Sequence, residues 1–444
     1  MLTMGTKLSY GVGNIGLQML IAGMSFFLMI FYTDVALVPP AIAGAALLVG
    51  KVWDTINDPV FGWISDRTRS RHGRRRVFLI YGAIPLALAT AAVWMVPPGL
   101  NPIYAFLWVA ISYTVFDTIL TMVQIPYTAL AAEMTRDYDE RTSLSVVASF
   151  GALAGYMLGS TLMPALVQVA SDASSGYALA GAVFGAAAGA SIGWVAWRVK
   201  EPALDKLRRE DTPPWHVVVS ALQNHPFVML VIATGLVRLG LTLVQAALAY
   251  YVIYQLKGSR QDLPELMTIL LVVVGLSMFV WKRVVDRWEK NLAYITGLGC
   301  SVIGLASLYW LDAGQDNAMM AILVVIGIGM GAHWVVPFAM IPDTVDHGHM
   351  QAGERRSGVY MGLYGLIDKL ARTVATVLIA AILELSGYQP NVAQSPEALQ
   401  GIRLAAGLLP ALCLAFAIPL LIAYPITRAR HAYIKEALDS PNIQ

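Results

Sequence analysis

Asp54, Asn57 and Asp58 stand at positions i, i+3 and i+4 of the stretch Lys51–Pro59. On an α-helix that spacing puts all three side chains on one face, with their oxygens converging. The stretch lies inside an apolar block long enough to span a bilayer, where a charged side chain costs about 2.5 kcal/mol or more. Two carboxylates and an amide so arranged form a ligand set for a small, hard cation, which takes oxygen donors. These residues therefore predict an ion site within a membrane span, and cation-coupled transport as its use. The competing reading is a buried structural pair, partly neutralised by Lys51 one turn away.

The elements that must position such a site are long apolar helices. The 444-residue chain is 57% hydrophobic and 13% charged, against about 25% charge in an ordinary soluble protein. Its mean hydropathy is +0.63. The apolar residues come in blocks long enough to cross a membrane. Twelve spans are predicted, at about 9–33, 40–65, 77–97, 103–132, 144–169, 176–197, 226–255, 262–281, 291–311, 317–341, 357–386 and 401–425. The predicted organisation is an N-terminal six-helix bundle over 1–198, a central cytoplasmic loop over 199–225, a C-terminal six-helix bundle over 226–426 and a cytoplasmic tail over 427–444. Most of the 30 Lys and Arg fall at the termini and in the even-to-odd loops. Under the positive-inside rule this makes both termini cytoplasmic. Short loops and the absence of an Asn-x-Ser/Thr sequon point to a cell inner membrane.

Several classes are excluded. No nucleophile–base pair or metal spacing stands out within the spans, so an enzyme is not expected and no cofactor is called for beyond a coupling ion. The net charge of +2 carries no sign of nucleic acid binding. The first apolar block is too long for a cleavable signal and reads as a span. Cys300 and Cys413 sit in apolar blocks and read as packing residues. The expected partners are a small-molecule substrate, a coupling cation and the bilayer, and the chain is expected to act as a monomer.

The halves echo each other. Ile125-Pro126-Tyr127 and Glu133 in the fourth span answer Val336-Pro337-Phe338 and Asp343 in the tenth, and Asp66-Arg67 answers Asp286-Arg287. A duplicated six-helix unit around a midplane site is the layout of the major facilitator fold, an all-α membrane protein of two pseudo-symmetric bundles. The second span closes with Gly62-Trp-Ile-Ser-Asp66-Arg67-Thr-Arg-Ser-Arg71-His-Gly73. Gly62 is expected to allow close helix approach. Asp66, accepting from a neighbouring helix N-terminus or paired with Arg67 or Arg71, is expected to latch one conformation at the cytoplasmic rim.

The run from Trp53 through Asp54, Asn57, Asp58, Pro59, Gly62, Asp66, Arg67, Ser70 and Arg71 to Gly73-Arg74 resembles the glycoside–pentoside–hexuronide:cation symporter family (melibiose-permease-like). Further matches are Tyr10-Gly11-Val-Gly13, Phe31-Tyr32-Thr33-Asp34, Asp139-Glu140-Arg141-Thr142, Gly353-Glu-Arg355-Arg-Ser-Gly358, Lys369, Gly387-Tyr388 and Gln400-Gly401-Ile402-Arg403. The resemblance implies cation ligands at Asp54, Asn57, Asp58 and Thr121. Two neutral oxygens beside the acids favour Na⁺ over H⁺, since a proton needs one carboxylate only. It also implies a sugar site, and there the chain departs. Gln18 and Gln124 replace the family's sugar-gripping acids, Leu17 and Thr128 replace neighbouring contacts, and the basic position in the fifth span falls near Ala148. Trp334 and Lys369 match.

Gln bonds a hydroxyl without charge assistance, so a galactoside is not expected. Basic groups enter instead. Arg238 lies mid-span, and Lys369 and Arg372 share a helical face. Arg238 either pairs with an internal acid (Asp117, Asp368 or Glu384) or grips a carboxylate of the solute. The substrate set is thus Gln18, Gln124, Tyr127, Thr128, Arg238, Trp334 and Lys369, for a glycoside or acidic sugar. The alternative is an amphipathic lipid-like or drug-like substrate, or H⁺ coupling. His333 beside Trp334 reads as a packing residue. His347 and His349, near Asp343 and Asp346, read as solvated loop or gate residues rather than a metal cluster.

Overall fold

A computed structural model describes residues 2–135, 137–199, 201, 215–258, 262–352 and 357–439. Arg136, Arg260, Arg355 and Arg356, and 202–214 of the predicted central loop, lie outside the described residues. Among the described residues the fold is all helix. The long helices are α1 (Met4–Val35), α2 (Pro40–Arg67), α3 (Arg76–Val93), α4 (Pro102–Met134), α5 (Tyr138–Val169) and α6 (Ala173–Arg198). After the short α7 (Trp215–Gln223) come α8 (His225–Gln255), α9 (Leu263–Arg287), α10 (Lys290–Leu308), α11 (Asp316–Ala352), α12 (Ser357–Leu385) and α13 (Pro396–Ile422). A polar helix, α14 (Arg428–Asp439), follows.

Ten of these are long and apolar enough to cross a membrane. The other two long ones, α2 and α12, carry the acids and bases singled out above. Helix starts obey local chemistry. Asn101, Asp137 and Asp172 accept from backbone N–H groups at Tyr104, Glu140 and Ser175, at 3.0, 2.8 and 2.9 Å. Such caps satisfy donors that a first turn leaves open.

The chain forms two compact units. The first holds 1–206 with 248–268 and 376–399, and the second holds 207–247, 269–375 and 400–444. In the first, α1 packs on α5 and α6, α2 on α4, and α3 on α4 and α6. In the second, α10 packs on α11 and α13, and α11 also receives α14.

The α1–α5 contact has a sequence signal that spacing alone could have revealed. Gly151, Gly155 and Gly159 recur every fourth residue on α5, and a Cβ on any of them would strike the carbonyl oxygens of Gly11, Ile15 and Met19 on α1. Small residues let the two backbones meet. Gly155→Leu is expected to cost about 1–3 kcal/mol or more by forcing the helices apart. Gly62→Ala is the control, because Gly62 faces open space and makes no close helix approach, contrary to expectation. Thermal unfolding of the purified protein in detergent, comparing the two variants, checks this.

The internal repeat extends to the backbone. α1 and α8 both widen into a π turn in their last five residues, Phe31–Val35 and Tyr251–Gln255. Each then turns through a left-handed residue, Leu37 or Lys257, both at φ 55°. The closing bonds correspond: Ala36 N–H donates to Phe31 O and Val38 N–H to Tyr32 O, as Leu256 N–H does to Tyr251 O and Gly258 N–H to Val252 O.

Candidate cation and solute sites

α2 and α4 run side by side within the first unit, and two side-chain bonds set their register. Trp53 Nε1–H donates to Thr118 Oγ1 at 2.9 Å. One turn further, Thr121 O–H donates to Asp58 Oδ1 at 3.2 Å. Both bonds climb the helices in the same direction. Asn57 is 2% exposed, and its Nδ2 is buried without a hydrogen-bond partner. A buried amide atom left unspent costs about 1–3 kcal/mol. A half-turn of that amide presents its carbonyl oxygen instead. Asp54 and Asp58 are half-buried on the same face, and Lys51 holds its Nζ 5.3 Å from the centre of the Tyr113 ring. The structure thus draws Asp58 and Thr121 together and keeps Asn57 on the packed side of α2. The faces carrying Trp53, Ile56 and Val60 stay exposed.

The expected solute residues divide between the units. In the first, Gln18 and Gln124 are half-buried. Two others are turned to other tasks. Tyr127 is 2% exposed, stacks on Tyr10 with ring centres 4.4 Å apart and donates its O–H to Tyr10 O at 2.6 Å. It is a packing residue. Thr128 is exposed and spends its hydroxyl on Gln124 O at 2.9 Å.

In the second unit, Arg238 Nε–H donates to Asp368 Oδ1 at 2.5 Å, and Arg372 Nε–H to Asp368 Oδ2 at 2.8 Å. Of the three acids expected as possible partners for Arg238, Asp368 fills that place. Glu384 instead accepts from the Ala41 N–H at the start of α2. The Arg238 guanidinium lies 5.8 Å from the Trp334 ring centre. Two guanidinia on one carboxylate, with Lys369 half-buried on the next position of α12, make this a basic region. His333 is 3% exposed and bonds the Tyr294 hydroxyl through Nδ1 at 2.7 Å, as a packing histidine does.

The rim differs from expectation. Asp66 bonds Arg75, at 2.5 Å, and neither Arg67 nor Arg71. Arg67 lies over the Trp63 ring at 4.2 Å, and Arg71 is exposed. The reason is the turn at Gly73, φ +101°, which folds the chain back under α2 and brings Arg75 to its last turn. Arg75 is buried and also donates to Ser65 Oγ at 2.6 Å and Glu133 Oε1 at 3.0 Å. Glu201 accepts the backbone N–H groups of Arg74, Arg75 and Arg76 at 3.0, 2.9 and 3.2 Å. A carboxylate at a helix N-terminus suits both the open donors and the dipole. Glu133 and Glu201 were missed as partners because each stands on another element, far along the chain.

The second unit repeats the arrangement with Lys290 Nζ on Asp343 at 2.7 Å, Asp343 answering Glu133. His347 and Asp343 are not solvated loop residues, since α11 continues to Ala352 and buries both. His431 of α14 reaches Asp343 and Asp346 at 3.4 Å. No three His, Cys, Asp or Glu among the described residues gather to hold a metal, and Cys300 and Cys413 are free thiols. Glu140, just ahead of the α5 span, accepts from Thr135 O–H and from Leu2 N–H. The Thr135 bond is the main cause that holds its carboxyl below the usual range.

Oxygen-lined and basic faces on a twelve-helix scaffold invite comparison with known transporters. The family described as MFS/sugar transport protein matches residues 9–428. The chain belongs to this family. It is a multi-pass membrane transporter of the major facilitator type and not an enzyme. It is 28% identical to an uncharacterized symporter of Synechocystis, over 98% of this chain and 96% of that one. It is 26% identical to the glucuronide carrier protein homolog of Escherichia coli (98% and 95% covered) and 23% identical to the sodium-dependent lysophosphatidylcholine symporter 1-A of Danio rerio (99% and 88%). Among solved structures, a bacterial homolog of the human lysosomal transporter Spinster superposes with TM-score 0.69 at 11% identity, covering 98% of this chain and 97% of that one.

Proposed function

We propose that this MFS-type transporter is a symporter coupling Na⁺ entry to uptake of an acidic, sugar-like solute, with Asp54, Asn57, Asp58 and Thr121 as the cation's ligands. The observation that carries the reading is the Asp58–Thr121 bond beside the unspent Asn57 amide. A hydroxyl and an amide beside the Asp58 carboxylate supply oxygen donors of the kind a hard cation takes. Arrival of the ion cancels negative charge on α2. The residues proposed for the solute are Gln18, Gln124, Arg238, Trp334 and Lys369. Arg238, whose Nε–H is held by Asp368, adds positive charge toward an acidic solute, and a glucuronide carrier homolog stands among the relatives. Alternating access is the mode of transport this reading implies. The basic loops support cytoplasmic termini in a bacterial inner membrane.

The second reading is a lysolipid-like solute, favoured by the Danio rerio relative. The same basic groups would meet its phosphate. One experiment separates the readings. The purified protein in liposomes is offered labelled glucuronides, neutral glycosides and lysophosphatidylcholine, each with an inward Na⁺ gradient, an inward H⁺ gradient or neither. The expected result is Na⁺-driven accumulation of the glucuronide. Uphill transport driven by H⁺ alone removes the Na⁺ assignment, and transport of the lysolipid alone removes the sugar assignment.

A further inference from the structure

Two of the runs that carry the family resemblance, Phe31-Tyr32-Thr33-Asp34 and Gly387-Tyr388, play no part in the cation or solute residues above. The structure joins them. Asp34, in the π turn that closes α1, is 4% exposed, and among the described residues no basic side chain lies on its carboxylate. Hydroxyls surround it instead. Tyr388 O–H donates to Oδ1 at 2.5 Å, Thr33 O–H donates to the same oxygen at 2.7 Å, and Tyr254 O–H donates to Oδ2. A carboxylate only accepts, so it suits all three. Tyr250 O–H, 2.7 Å from Thr33 Oγ1, completes the chain of donors. Asn391 clamps the turn from outside, with Nδ2–H donating to Asp34 O at 2.6 Å and its N–H to the Tyr254 oxygen at 3.0 Å. Tyr388 meets the Tyr250 and Tyr254 rings edge-on at 5.4 Å. Burial, reinforced by Asp34, pushes the Tyr388 phenol up, so it remains a donor.

Three stretches distant in sequence thus end on one carboxylate: the far end of α1, the far end of α8, and the turn after α12. All lie in the first compact unit. A cleft of about 1050 Å³ opens onto the cluster, lined by Asp34, Tyr254, Lys257 and Asn391 among others. Hydrogen bonds to a charged group are each stronger than neutral ones, yet hydroxyl donors release without leaving an unpaired buried charge, because a wetted carboxylate is solvated.

We propose that Asp34 is a positioning residue for transport: it holds the ends of α1, α8 and α12 together, and this end opens only when Tyr254 and Tyr388 leave its carboxylate. This rests on the transport reading but not on the identity of the cation or the solute. The test needs neither. In the full chain carrying Cys300→Ala and Cys413→Ala, spin labels are attached through Leu37→Cys and Val392→Cys, both exposed sites flanking the cluster. The distance between them is measured by double electron–electron resonance in nanodiscs. Wild-type protein is expected to give mainly one short distance. Asp34→Ala, and separately Tyr254→Phe with Tyr388→Phe, are expected to raise the ratio of long to short distances at least tenfold, with Asp34→Glu restoring much of the short population. The double Tyr variant keeps the buried rings and the carboxylate, so it answers the question if Asp34→Ala does not fold. An unchanged distribution in the folded variants overturns the proposal. So does a uniformly broadened distribution with a lowered melting temperature, which marks a structural role only.

Discussion

Asp58→Cys is expected to abolish solute accumulation driven by a cation gradient. A cation-coupled transporter can draw on about 2.3 kcal/mol per charge per 100 mV of membrane potential. A tenfold ion gradient adds about 1.4 kcal/mol. Together these support accumulation on the order of a few-hundredfold, and in the variant the ratio should fall to about one. Asp58 is the carboxylate that Thr121 touches at 3.2 Å. Its loss removes both a charge and the anchor that points the α4 hydroxyl at the site. Thr121→Ala should be milder, weakening the ion's apparent affinity while leaving accumulation possible at high Na⁺. Uptake into liposomes against a measured gradient reads both. Unimpaired uphill transport by Asp58→Cys would remove the cation assignment to this helix.

The second large effect concerns stability. Asp368→Ala is expected to cost about 3–5 kcal/mol, since breaking a buried ion pair strands its partner. The Arg238 side chain is 13% exposed and depends on Asp368 at 2.5 Å. Arg372, at 35% exposure, can reach solvent and loses less. The double variant Arg238→Met, Asp368→Leu should regain most of the lost stability, because a well-packed apolar pair often replaces a buried ion pair without penalty. Thermal unfolding in detergent tests this as a cycle. If Asp368→Ala melts like the wild type, the ion pair is not a packing element.

The proposed Asp58 site is one the sequence could suggest, because helical period alone aligns Asp54, Asn57 and Asp58. The Asp368 pairing was one of three open possibilities, because helical period says nothing about which helix faces which. Burial and distance chose among them.

The same division runs through the molecule. The sequence alone determined the twelve long helices, since their apolar blocks exceed what any other setting tolerates. It also determined the family, through Trp53–Arg74 and the other short runs, and the one-faced oxygen set on α2. Only the tertiary structure decided which side chains those groups meet. Asp66 bonds Arg75 rather than Arg67 or Arg71 because Gly73 reverses the chain. Tyr127 is a packing residue because its ring lies flat on Tyr10. Asp34 and Tyr388 share a hydrogen bond across 354 residues. Local period fixes what lies on one helical face, within a turn or two. Partners on separate helices are set by chain reversals and close backbone contacts, such as those at Gly151, Gly155 and Gly159, and these exist only once the helices have packed.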